Sequence, residues 1–190
     1  SKTSTSSNAS PSWQGEKPAS NKARMLTTIS GTFVKIAFAH EAEIVLSRGL
    51  TQRPAARFNR RGQDALYLSP DATAANVAIG EYITPNDPPR VLLRFDVAPC
   101  NLFDLRLSEA ASVYQLASKL WKSALSAGNE PPSWHAADRI RADGHAGLID
   151  PSRRRPGLWH LALFKWNSPG GPRVTRIGQP ETIIVIRDLR

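Results

Sequence analysis

The chain predicts an α+β fold, with a mixed, largely antiparallel sheet flanked by helices. Three observations carry this. Thr32-Phe33-Val34-Lys35-Ile36-Ala37-Phe38 alternates apolar with other residues and is rich in β-branched and aromatic types, as a strand requires. Arg90 to Val97 is an apolar run set between Pro88-Pro89 and Pro99. Two helical patterns then follow together, before further strand patterns, so the elements do not alternate as in a parallel doubly wound sheet.

Between the first two strands, Glu41 to Leu46 predicts a short helix and Arg48 to Arg57 a polar connection. Ala65 to Leu68 has the length of a strand and is ended by Ser69-Pro70-Asp71. Ser69 or Asp71 suits the cap of the alanine-rich helix that runs on to Glu81, and Pro70 suits its first turn. Leu102 to Leu105 closes the Arg90 strand unit. Ser108 to Ala127 predicts one long helix, with Ser108 as N-cap, Gly128 as stop, and Val113, Leu116, Leu120 and Leu125 turned inward. Trp134 to Ala142 predicts a shorter helix. Leu158 to Trp166 and Thr182 to Ile186 predict strands, the last apolar throughout as if covered on both faces. Ser168 to Pro172 predicts a turn.

The expected organisation is a Ser/Thr/Pro-rich tail over residues 1–25 and one domain over residues 26–190. A hydrophobic content of 41% is enough to build its core. A single cysteine, Cys100, excludes an internal disulfide and stands beside apolar residues, as a buried thiol would. There is no signal-peptide pattern and no membrane-length apolar run, so a cytoplasmic location is the expectation.

The net charge of +9 points to nucleic acid, an acidic partner or an anionic small substrate. Arginines cluster at 53, 57, 60 and 61 and again at 153, 154 and 155. Each is either a solvated face or part of an anion-binding rim. His40, His135, His145 and His160 lack the short paired spacing of zinc ligands, so no metal site is expected. No phosphate-binding GxxxxGK[ST] loop, GxGxxG turn or GxSxG elbow is present.

Two stretches carry a family signature. The first runs from Arg57 through Phe58-Asn59-Arg60-Arg61-Gly62 and Ala65-Leu66-Tyr67-Leu68 to Glu81. The second is Gly147-Leu148-Ile149-Asp150-Pro151-Ser152-Arg153-Arg154-Arg155, followed by Leu158 to Phe164. Together they resemble the RES domain, a family named for its arginine, glutamate and serine, over roughly Thr32 to Phe164. The resemblance implies a fold like that of the ADP-ribosyltransferase toxins. It implies a toxin of a bacterial toxin–antitoxin pair that consumes NAD by hydrolysis or phosphorolysis, or else transfers ADP-ribose to a target protein. The implied partner is an Xre-type helix-turn-helix antitoxin that blocks the NAD pocket. Neither direct nucleic-acid binding nor membrane association is expected.

NAD presents a pyrophosphate, two riboses and a cationic nicotinamide, and cleavage of its glycosidic bond passes through an oxocarbenium-like centre. The resemblance assigns Arg57 to the pyrophosphate and Tyr67 to the nicotinamide. It assigns Glu81 to the developing positive charge and Ser152 to the ribose or the nicotinamide amide. Asn59 and Arg153 are further binding candidates. Lys35 stands where the family often has arginine, keeping the charge without the bidentate fork. Taken singly, Tyr67 is also a plausible core aromatic, Glu81 a solvated helix end and Ser152 a turn residue. A competing class, a basic nucleic-acid-binding or RNA-cleaving toxin, is favoured by charge alone and lacks a histidine pair for acid–base work. A third, a non-enzymatic interaction module, would bind a partner without turning over NAD.

Overall fold

Hydrophobic alternation builds the sheet and decides which of its faces the helices cover. The computed structural model describes residues 23–187. Of the predicted tail, Ala23–Met25 forms a single 3-10 turn and the remainder lies outside the described residues.

Six strands follow in chain order: β1 (Leu26–Phe38), β2 (Leu66–Leu68), β3 (Arg90–Asp104), β4 (Gly147–Pro151), β5 (Trp159–Leu163) and β6 (Val174–Thr182). The helices are α1 (Ala72–Ile79), α2 (Ala111–Ala117), α3 (Trp121–Ser126) and α4 (Pro132–Ala142). The sheet order is β1-β3-β4-β5-β2, with β6 added to β3. Among the described residues only β3 and β4 pair in parallel; the other ladders are antiparallel. This is the mixed, largely antiparallel α+β sheet that the sequence predicts.

The two ends of the strand path meet. Val34 of β1 and Ser69, just past β2, exchange two backbone hydrogen bonds of 2.8 Å. Inside this curl, Phe33, Leu66, Leu68, Leu93, Ile149, Leu161, Leu163 and Trp166 form one apolar cluster. On the other face Phe58, Phe103, Leu148, Ala162 and Phe164 pack with Val113 of α2 and Ala136, Ala137 and Ile140 of α4. A third cluster sets Ala75 of α1 on Val34, Ile36 and Leu92.

Several local expectations change. The helix predicted over Ser108 to Ala127 is broken. Ser108–Ala110 is a 3-10 turn, α2 ends at Ala117, and α3 starts after Leu120, whose extended backbone has φ −66° and ψ 113°. Ser118 Oγ donates back to the Gln115 carbonyl, an arrangement that bends helices. Val113 is buried as expected, but Leu120 is 73% exposed and Leu125 is also exposed. The strand predicted over Thr182 to Ile186 is displaced. The ladder ends at the Val91–Thr182 pair, and the chain then crosses α1, where Asn76 holds both backbone groups of Ile186. Ile183 and Val185 pack inward there while Ile184 and Ile186 face solvent, so one face is covered rather than two.

The paired strand is instead the polar segment Val174–Thr182, whose glycine, proline and charges hide it from a hydrophobic pattern. The Glu41 to Leu46 helix is a 3-10 turn over Ala39–Ile44. Asp71 caps α1 by accepting the Ala74 N–H at 2.8 Å, which leaves Pro70 before the cap rather than in the first turn. Cys100 packs beside the core, and burial pushes its thiol up to about 11.

Gly147 opens β4 opposite Leu163 of β5, with the β5 backbone against its α-carbon. A Cβ there would overlap the Ala162 carbonyl oxygen and stand 2.9 Å from Leu163 Cα. Backbone cannot swing aside as a side chain can. Gly147→Ala should therefore destabilise by about 3 kcal/mol, the upper range for overpacking. Urea unfolding should show a lower midpoint with an unchanged slope.

Candidate functional site

The site grows from the face of β2, β5 and β4 that lies opposite the inner cluster. Side chains alternate along a strand, so Tyr67 and Ser69 share a face while Leu66 and Leu68 fill the core. Tyr67 pairs with Ala162 of β5, and Ala162 with Leu148 of β4. In the next row His160 pairs with Asp150, and Ser69 Oγ meets His160 Nδ1 at 3.0 Å. Two short rows of side chains therefore form a floor.

A loop brings Arg57 over this floor. Its backbone turns back on itself between Ala56 and Asn59. The start of α4 pins it: Trp134 Nε1 donates to the Ala56 carbonyl at 2.8 Å, and Ser133 Oγ donates to the Arg57 carbonyl. The Arg57 side chain donates to the Lys119 carbonyl at 3.3 Å, a group freed by the break between α2 and α3. Burial lowers the Arg57 pKa first, and the positive charge of Arg153 lowers it further. Asp150, Tyr82 and Glu81 oppose that shift, so these three side chains and Arg153 lie within electrostatic reach of Arg57.

Tyr67 presents its ring but not a free hydroxyl. Its phenol donates to Asn59 Oδ1 at 2.7 Å and accepts the Phe58 N–H at 3.0 Å. Burial raises its pKa well above the ordinary tyrosine value, so it stays neutral. Asn59 is 1% exposed and spends both amide hydrogens on the Pro54 and Arg60 carbonyls at 3.0 Å. It reaches the site through Tyr67.

Arg153 grips Asp150 with two bonds of 2.9 and 2.8 Å, and Asp150 is 6% exposed. Glu81 sits in the 3-10 turn Gly80–Tyr82 after α1 and pairs with Arg154 at 3.4 Å. Tyr82 beside it is pushed up to about 12, by burial first and then by the Glu81 charge. Ser152 follows β4, where its Oγ accepts the Arg155 N–H at 3.1 Å inside a turn closed by Ser152 N–H and the Leu158 carbonyl.

Arg57, Tyr67, Glu81 and Arg153 thus come together, while the Ser152 hydroxyl turns into its own loop and Asn59 lies beneath. Sequence reasoning passed over His160 and Ser69 as site residues and left Asp150 unassigned. The signal was available in the period of two: Ser69 stands two places after Tyr67, and His160 two before Ala162.

The arginine clusters mostly bind the protein itself. Arg53 donates to the Ala65 and Ser47 carbonyls, Arg60 to Glu130 and Asp138, and Arg61 to Gln52. A separate cavity of about 510 Å³, lined in part by Lys35, Glu41, Arg53 and Leu66, shares Tyr67 and Asn59 with the cluster. Among the described residues no group of three or more His, Cys, Asp or Glu side chains is placed to hold a metal, and no helix is long and apolar enough to cross a membrane.

The RES domain family matches residues 34–185, which include both arginine clusters and the whole of the floor. The chain belongs to the RES domain family. Its fold is similar to that of a chain in the crystal structure of the M. tuberculosis MbcT-MbcA toxin–antitoxin complex. The likeness has a TM-score of 0.53 and 19% identity, covering 83% of this chain and 89% of that one. No curated protein matches the sequence.

Lys35 Nζ lies 5.9 Å over the Tyr67 ring and donates to the Tyr67 carbonyl at 3.2 Å. Burial, aided by the Arg53 charge and opposed by Glu41, pulls its pKa from 10.5 down to about 8. Below pH 8 the amine is charged in the folded and unfolded states alike, and the burial penalty acts in full. Between pH 8 and 10.5 the folded protein sheds a proton that the unfolded chain keeps, so stability rises with pH. The rise should be on the order of 1–3 kcal/mol. Lys35→Met should abolish it when urea unfolding is compared at pH 7.5, 9 and 10.

Proposed function

We propose that this RES domain is the toxin of a bacterial toxin–antitoxin pair and that it cleaves the nicotinamide–ribose bond of NAD. The observation that carries this is that Arg153, Tyr67 and the carboxylates of Glu81 and Asp150 all lie within electrostatic reach of Arg57. Among the described residues Arg57 pairs with no carboxylate and makes one hydrogen bond to a carbonyl. It also lies under the repulsion of Arg153. A pyrophosphate relieves that repulsion and offers the bidentate oxygens that the guanidinium fork fits. Giving up the Lys119 carbonyl costs about 1 kcal/mol in exchange.

Tyr67, held flat by Asn59, offers a wall for the nicotinamide ring. Ser152 rotates its hydroxyl from the Arg155 N–H toward the ribose or the carboxamide. Glu81 stabilises the oxocarbenium-like centre. The antitoxin is an Xre-type helix-turn-helix protein that blocks this site; the support is the likeness to a chain from a toxin–antitoxin complex and the little-compensated charge of Arg57, which suits an acidic segment. The acceptor of ADP-ribose separates glycohydrolase, phosphorylase and protein ADP-ribosyltransferase. Incubation with NAD, with and without inorganic phosphate, followed by mass analysis distinguishes free ADP-ribose, its 1-phosphate and a mass gain on protein. Absence of nicotinamide release under all conditions would reject the proposal.

Arg57→Ala should lower kcat/KM by about 30- to 150-fold, the worth of 2–3 kcal/mol of charge-assisted hydrogen bonding, while thermal unfolding stays near wild type. Arg57→Lys should also be impaired, because a point charge cannot make two parallel bonds to phosphate. Wild-type turnover in a folded Arg57→Ala protein would remove Arg57 from the site.

Glu81→Gln should leave NAD affinity largely intact and lower kcat by about a hundred- to a thousandfold, since the lost charge faces only the transition state. A surface glutamate merely paired with Arg154 would show almost no change. Single-turnover cleavage, with binding measured separately, separates these outcomes; a near-normal rate transfers the role to Asp150.

A further inference from the structure

One polar side chain on the floor of the site takes no part in holding NAD. His160 lies in β5 between Asp150 of β4 and Ser69 beyond β2. Its Nδ1 is tied to Ser69 Oγ at 3.0 Å. Its Nε2 has no hydrogen-bond partner among the described residues, yet it is not sealed from solvent. Four charged groups on different elements act on the ring: Asp150 on β4, Arg153 in the turn after it, Arg57 in the loop before β2 and Asp71 at the cap of α1. Burial and the two arginines outweigh the two carboxylates and hold the imidazole neutral at pH 7.

The other groups on this floor serve poorly as bases. Asp150 is gripped at both oxygens by Arg153, and the Tyr67 hydroxyl stays protonated and donates a hydrogen bond to Asn59. Guanidinium groups have no lone pair to offer. A neutral imidazole with one nitrogen anchored and the other open has what proton abstraction needs.

We infer that His160 Nε2 accepts the proton of the nucleophile that attacks the nicotinamide-bearing ribose carbon, and that Ser69 is the positioning residue that holds the ring in the required tautomer. This rests on the NAD-cleaving reading. In that tautomer Nδ1–H donates to Ser69 Oγ and leaves the Nε2 lone pair free. The C–N bond breaks with its electron pair going to the nicotinamide nitrogen, which leaves neutral. The oxygen of water forms the new bond to carbon, and its proton passes to Nε2 and then to bulk water. The products are nicotinamide, ADP-ribose and one proton, with no redox change. A phosphate or protein acceptor carrying a proton would deliver it to the same atom.

The test is nicotinamide release at saturating NAD from pH 5 to 9, with ADP-ribose binding measured by calorimetry. His160→Asn places an amide where Nδ1 stood, keeping the Ser69 contact, and removes Nε2. Wild-type kcat should rise with pH through an inflection below 6.5, the ordinary histidine value. His160→Asn should lose that inflection and about a hundred- to a thousandfold in kcat, with ADP-ribose affinity kept within about threefold. Ser69→Ala should lower kcat about tenfold and keep a shifted inflection. If His160→Asn does not fold, His160→Gln must show the same loss, since its amide reaches the Nε2 position without a basic lone pair. A folded His160 variant that keeps the wild-type rate and inflection overturns this role alone. A wild type that releases no nicotinamide at any pH overturns the NAD reading and the role with it.

Discussion

A strand of three residues, held on both edges, is the constraint on which the rest of the structure depends. Leu66–Leu68 pairs with β5 along one side, and the next residue, Ser69, joins Val34 of β1 through two backbone hydrogen bonds. The same short stretch buries Leu66 and Leu68 in the inner cluster and turns Tyr67 and Ser69 to the other face. A register slip of one residue would exchange those faces, turning the tyrosine and serine into the inner cluster and the leucines out of it. The apolar packing and the candidate site therefore share one register. Because Asp71 caps α1 two residues later, that register also sets where Glu81 emerges.

Around this strand the cations divide into two roles. Arg53, Arg60 and Arg153 are fixed to carbonyls or carboxylates and stabilise loops that carry few apolar side chains. Arg60 also lies 5.2 Å from the centroid of Trp134, the residue that pins the Ala56 carbonyl, so one arginine braces the loop that another presents. Arg57 is different: burial and a like-charged neighbour weaken its hold on a proton, and its single bond goes to the uncharged Lys119 carbonyl. A half-buried cation with little internal compensation is a cost to the fold that an anionic ligand offsets. The helix break at Ser118 to Leu120, unhelpful for helix stability, supplies the one carbonyl that meets it.

How much was legible depended on whether local pattern or distant pairing decided each element. The alternation from Thr32 to Phe38 and the run from Arg90 to Val97 were readable because half-buried strands need apolar side chains at fixed intervals. Val174–Thr182 was not, because this polar strand is stabilised by backbone pairing to β3 rather than by its own side chains. Leu120 fitted a helical stripe, yet that stripe ends where the chain turns away from α4, and the residue is left in solvent.

By itself the sequence determined the fold class and the family, and it named the charged, aromatic and polar candidates for a site: Arg57, Asn59, Tyr67, Glu81, Ser152 and Arg153. Such features are local, written in residue type and short spacing. Only the tertiary structure decided that Asp150 of β4, His160 of β5 and Ser69 just past β2 stand in one row. It also decided that Asn59 supports Tyr67 from below and that the Ser152 hydroxyl lies in its own turn. Cross-strand register and the choice of hydrogen-bond partner depend on which strands become neighbours, and that is set by packing the whole core at once.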